Sequence, residues 1–206
     1  MKKTWLLDNG HGGEINGQYV TPGKRSPEWE DGTQYFEGIG NRNIVNIIAC
    51  RLAELGIAHL IITPEQTDLS LKVRVARANA HHKLYPNCVL VSVHSDGFSS
   101  ESAHGWSVWT SKGETKSDPI ATKFMESCKA VFPKEKKRTD SRDGDPDQES
   151  QFYILKNTNC PAILTENFFH TNKHECKEIL MTEEGVNKIV ELHVQAIINV
   201  ENDTKL

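Results

Sequence analysis

No stretch of the 206-residue chain approaches the roughly 18 to 20 consecutive apolar residues that a membrane-spanning helix needs. There is no excess of basic charge either. Lys and Arg number 24 against 28 Asp and Glu, and the net charge of −4 argues against a general nucleic-acid binder. No C-x-x-C pair occurs. The five cysteines (Cys50, Cys88, Cys128, Cys160 and Cys176) are odd in number and widely spaced. That argues against a disulfide framework and against a thiolate zinc site, and leaves most of them as small apolar fillers in a reducing compartment. A hydrophobic leader is also missing. Lys2 and Lys3 open like a signal peptide, but Asp8 follows only three apolar residues, short of an h-region of about 7 to 15. The expectation is cytoplasmic synthesis without a signal peptide. No repeat or linker is visible, so residues 1–206 read as a single domain with enough length to bury a full core.

What is present is an alternation of short apolar runs with helical periodicity. An apolar run from Trp5 to Leu7 meets Asp8-Asn9-Gly10-His11-Gly12-Gly13, a buried strand ending in a glycine-rich turn that lifts one imidazole out of the sheet edge. Residues 14–40 are polar and aperiodic, a loop long enough to suggest function. Ile44, Val45, Ile47, Ile48, Leu52 and Leu55 then mark a helix closed by Gly56, with Glu37 at or just before its first turn. Residues 57–63 suit a strand buried on both faces, and Ser70 caps a helix to about His82. Residues 89–93 form the clearest buried strand, ending at His94-Ser95-Asp96-Gly97.

Residues 105–110 suit a half-buried strand, and Asp118-Pro119 opens a further helix. Residues 133–150 read as an exposed loop, with the basic run 134–138 a solvated face. Residues 152–155 and 162–165 suit two short strands, the second ending at Glu166. A short helix at 175–180 and an amphipathic one through Ile197 close the chain, with a frayed tail from about Val200. The fold class is α/β, one domain with a mostly parallel or mixed sheet of about six strands flanked by helices.

His11, His94 and Glu166 all fall at strand ends, where open α/β sheets place their ligand crevice. Taken alone, Glu37 is accounted for by the helix dipole. Together, two imidazoles and a carboxylate are the ligand set of many catalytic zinc sites, and a second carboxylate nearby can move a proton. His170 and His174 have the i, i+4 spacing of paired ligands but lie in a loop leading into a helix. His81 and His82 suit a helix C-terminus, and His59, His104 and His193 read as structural, with His104 near the site at most.

Several of these segments in this order resemble the zinc-dependent N-acetylmuramoyl-L-alanine amidases, hydrolases of the bacterial cell wall. The likeness rests on Leu7-Asp8-Asn9-Gly10-His11-Gly12-Gly13, on Glu37 before a helix, and on Leu71, Arg74 and Ala78-Asn79. Ser92-Val93-His94-Ser95-Asp96 and Pro161-Ala162-Ile163-Leu164-Thr165-Glu166 complete it, and it runs from about residue 4 to 198. The resemblance implies a twisted mixed sheet, one Zn2+ ion on His11, Glu37 and His94, and Glu166 as the catalytic glutamate. The substrate it implies is peptidoglycan, cut between N-acetylmuramic acid and L-alanine.

Asn9 replaces the family's usual proline, and Ser95-Asp96 its usual Ala-Asn. Division amidases of the family carry an inserted helix that blocks the zinc site. Here Trp109-Thr110-Ser111 passes almost directly to the helix at Pro119, so no obligate activator is expected. An endolysin released to the wall is the expected setting, with delivery by a secretion or injection apparatus as the second. Two other readings share the ligand set: another zinc-dependent wall-peptide hydrolase (carboxypeptidase or endopeptidase), and a non-catalytic zinc-containing wall-binding module.

Overall fold

Trp5, Leu6 and Leu7 are fully buried in succession, so strand β1 (Thr4–Asn9) must be covered on both faces. The computed structural model, which describes residues 2–142 and 144–206, shows how. β2 (Glu14–Ile15) and β3 (Gln18–Tyr19) make a small separate hairpin. Helix α1 (Glu37–Glu54), β4 (His59–Ile61), α2 (Leu71–Leu84), β5 (Cys88–Asp96) and β6 (Ser107–Thr110) follow. Then come α3 (Asp118–Val131), β7 (Gln148–Glu149), α4 (Tyr153–Asn157), β8 (Ala162–Phe169), α5 (Lys173–Glu175), a π-helical turn (Cys176–Leu180) and α6 (Glu183–Asn202). The main sheet has the order β4-β1-β5-β8-β6-β7, and all neighbours are parallel except β6 and β8.

Alternate side chains of the central strands enter two cores. Trp5, Leu7, Val89, Val91 and Ile163 pack with the inner faces of α1, α3 and α6. Leu6, Leu90, Ala162 and Leu164 pack with Val75 and Ala78 of α2 and Ile154 and Leu155 of α4. The parallel register sets His94 beside Glu166 at the carboxyl ends of β5 and β8, with β1 ending on the other side of β5. The functional edge is thus fixed by the same pairing that builds the core.

The fold class agrees with the sequence reading, while several local expectations need correction. β4 is an edge strand with Leu60 exposed, because among the described residues nothing pairs with its outer side. Residues 153–157 are helical: Tyr153-Ile154-Leu155 is a short apolar run that packs on α2, and strand and helix are indistinguishable by period at that length. The loop after Gly13 contains an Asn16-Gly17 hairpin turn with φ of 52° and 76°, and it sends Trp29 and Tyr35 into the core.

Residues 133–150 are not simply exposed. Residue Lys137 bridges to Trp106, β7 extends the sheet, and Arg138 pairs with Asp96. At the other end α6 continues to Asn202 with Val200 buried, so the expected fraying from Val200 is absent.

Candidate functional site

Residue His11 follows β1 in the left-handed region, with φ of 67°. A non-glycine residue there is uncommon and needs the surroundings to hold it. Two buried arginines do so. Arg42 Nη1 and Arg74 Nη2 donate to the His11 carbonyl at 2.9 and 3.1 Å. Arg74 also donates to Asp8 Oδ1 and to the Asn9 carbonyl, both at 2.7 Å, which fixes the end of β1. Gly10 lies flat against the His94 imidazole, where a Cβ would overlap the ring, so glycine is required for that close approach.

Glu37 is the first residue of α1 and is 1 % exposed. Its Oε1 lies 3.2 Å from His11 Nε2 and 3.1 Å from His94 Nδ1. The imidazoles meet edge to face with centroids 5.0 Å apart. Burial opposes ionisation of Glu37, yet hydrogen bonding and charge from the two imidazoles outweigh it and hold its carboxyl well below the usual range. Its Oε2 is buried and has no hydrogen-bond partner among the described residues. One ligand atom from each of His11, Glu37 and His94 fits within 4.8 Å of the others.

Behind His94 the order continues. Its Nε2 faces Ser92 Oγ at 3.2 Å, and that hydroxyl donates to Asp8 Oδ2 at 2.6 Å. Ser92 has one proton and gives it to Asp8, so His94 Nε2 is the donor to Ser92. A neutral imidazole then turns its Nδ1 lone pair toward Glu37, the form a cation selects, whereas a protonated one donates from Nδ1 to Glu37 Oε1.

Glu166 stands beside His94 on β8 with its Oε2 unpartnered. Burial first, then the charges of Glu37 and Asp96, push its carboxyl well above the ordinary value. It lies between two clefts of about 400 and 410 Å³, one holding Glu37, His94 and His170, the other His104, Trp109 and Arg138. Exposed Phe98 borders both.

The four residues singled out from the sequence therefore converge. His170 is buried against Ser95 and stacked on Tyr35, on the wall of one cleft and outside the cluster. His174 is exposed. Sequence reasoning misses Arg42 and the Asp8–Ser92 link. A charged residue inside the apolar run of β1 is the available signal for the second of these.

An α/β domain that gathers two imidazoles and two carboxylates in an open groove at its strand ends has the make-up of a hydrolase. Residues 6–199 match the family model for N-acetylmuramoyl-L-alanine amidase, and the chain belongs to that family.

Among curated proteins it is 35% identical over 127 residues to N-acetylmuramoyl-L-alanine amidase AmiC of Neisseria meningitidis serogroup B, a match covering 59% of this chain and 25% of that protein. The chain thus spans about a quarter of that relative's length. Among solved structures, an N-acetylmuramoyl-L-alanine amidase from Clostridium difficile 630 superposes with a TM-score of 0.77 at 23% identity, covering 98% of both chains. AmiC2 of Nostoc punctiforme superposes with a TM-score of 0.74 at 18% identity, covering 98% of this chain and 99% of that one. These likenesses show the same fold. Among the described residues, no helix is long and apolar enough to cross a membrane.

Proposed function

We propose that this chain cleaves the amide between the lactyl group of N-acetylmuramic acid and L-alanine in peptidoglycan, with one Zn2+ held by His11, Glu37 and His94. The observation that carries the reading is the convergence of His11 Nε2 and His94 Nδ1 on one buried carboxylate whose second oxygen has no partner. Lone pairs facing one another at that range require shared protons or a cation, and an N2O donor set with an open side suits zinc. When bound there, the ion supplies Lewis acidity, lowering the pKa of water and polarising a carbonyl.

The rest falls to the chain's own groups. Ser92 and Asp8 hold His94 in the tautomer with a bare Nδ1. Arg42 and Arg74 hold the backbone of His11. Glu166 takes a proton from the attacking water and returns it to the departing L-alanine amine. The two carboxylates are pushed in opposite directions, Glu37 toward the ionised form and Glu166 toward the protonated one, a pattern that separates ligand from acid–base group. The paired clefts flanking Glu166 give a linear glycopeptide room on both sides of the scissile bond.

The place of action is the cell wall. Seven residues, 111–117, link β6 to α3 and contain no helix, which supports activity without a protein activator. The test is mass spectrometry of purified peptidoglycan digested with the protein alone, with and without a chelator. Free stem peptides beginning with L-alanine, lost on chelation and restored by Zn2+, are expected. Trimmed stems or cut cross-bridges would move the scissile bond, and intact sacculi would sink the reading.

A further inference from the structure

At the amino end of β5, about 20 Å along the strand from His94, the sheet assembles a second group of soft donors. The β5–β8 register pairs Leu90 with Ala162; carried back two residues, it sets Cys88 opposite Cys160, just ahead of β8. In the last turn of α2, His82 points its Nδ1 at Cys88 Sγ, 3.5 Å away. One donor atom from each of the three lies within 4.8 Å of the others.

Tetrahedral zinc, with Zn–S of about 2.3 Å and Zn–N of about 2.0 Å, sets neighbouring S and N ligands about 3.5 Å apart and two sulfurs about 3.8 Å apart. The spacing found here suits that shape with modest closing of the cluster. Both cysteines are buried, at 2 % and 4 % exposure, and burial pushes both thiols up in pKa. Cys88 and Cys160 belong to the smaller apolar core as Cys128 and Cys176 belong to the larger one. What sets the first pair apart is the imidazole nitrogen aimed at Cys88 Sγ. A cavity of about 520 Å³ opens beside His82 and Cys88, bordered by Lys3, Lys116 and Asn159, so an ion and a water can reach the cluster.

We propose that His82 Nδ1, Cys88 Sγ and Cys160 Sγ form a second metal site, for a soft divalent cation such as Zn2+, with a water from the cavity as fourth ligand. Binding expels the two thiol protons to solvent and ties α2 to β5 and β8 at the end of the sheet remote from the groove. Its thiolates separate it chemically from the His–Glu–His cluster, which allows the two sites to be read independently.

The experiment is titration of the metal-free, reduced protein with Co2+. A thiolate-to-metal charge-transfer band is expected, together with a metal equivalent beyond the one held at His11, Glu37 and His94. Cys88→Ser and Cys160→Ser should each abolish the band, lower bound zinc by one equivalent, and leave peptidoglycan cleavage by the zinc-loaded protein within a factor of about two, as for a distant independent site. His11→Ala should keep the band, so failure at the groove is distinguishable from failure here. Should the serine variants not fold, the wild-type and His11→Ala spectra still decide the matter. No charge-transfer band at saturating Co2+, or a Cys88–Cys160 disulfide recovered from protein kept under reductant, would overturn the proposal.

Discussion

Residue His94 reaches Asp8 through a single hydroxyl: its Nε2 lies 3.2 Å from Ser92 Oγ, and Ser92 donates onward to the carboxylate. Such outer partners fix the tautomer and orientation of a ligating imidazole and raise its basicity. Ser92→Ala should therefore weaken metal affinity at the groove by roughly 10- to 100-fold, the range typical of outer-partner loss, with little change in fold. Competition for Zn2+ against a chromophoric chelator measures this. Unchanged affinity would mean that Ser92 is only a packing residue.

Glu166 carries the proton in the proposed reaction and lies outside the His11–Glu37–His94 cluster. Glu166→Gln should lower turnover by about 10²- to 10⁴-fold, the usual contribution of a general acid–base group, and leave bound zinc unchanged. Turnover on purified peptidoglycan and metal content are read on the same sample. Loss of zinc in this variant would assign Glu166 to the metal.

Much of this site is legible in the amino-acid sequence because each group borders an element. His11 and His94 follow apolar runs into turns, Glu37 opens a helix, and Glu166 follows residues 162–165. The strand ends of a mostly parallel sheet then bring them together. What holds them is harder to read. Arg42 lies on α1 and Arg74 on α2, and only the folded chain shows both reaching one carbonyl just past β1. Cys88 and Cys160 lie 72 positions apart and meet through strand register, which no spacing rule along the chain reports.

The errors have physical causes of their own. The five residues of α4 are too few to show a period, and β4 is as apolar as a central strand although it has a neighbour on one side alone. The Asn16-Gly17 turn is a different case, since that dipeptide is a strong hairpin signal even within a polar, aperiodic stretch.

Arg74 and Asp8 form a buried ion pair at 2.7 Å, both side chains at most 3 % exposed. Removing the cation alone leaves a carboxylate in the sheet without its charge partner. Arg74→Met should destabilise the fold by about 3 to 5 kcal/mol, the typical cost of breaking a buried pair from one side. Urea unfolding checks it, and a loss below about 1 kcal/mol, the range of exposed pairs, would show that water reaches Asp8.

His193 on α6 supplies a test of the core by pH. It is fully buried beneath β8, donating from Nδ1 to the Ile189 carbonyl at 2.7 Å and accepting from Thr165 Oγ1 at Nε2, 3.0 Å away. Burial lowers its pKa from 6.5 to about 4, against a smaller opposing effect of the Ile189 bond. The unfolded chain therefore binds a proton through this window while the folded one does not, so stability falls as pH drops from about 6.5 toward about 4 and this contribution is flat outside it. The full effect is on the order of 3 kcal/mol. The comparison that isolates His193 is wild type against His193→Gln, in which every other titrating group is common to both. Unfolding midpoints in urea, taken at steps across the window, should fall less steeply with acid in the variant. Parallel slopes would show that the His193 imidazole accepts its proton inside the folded core.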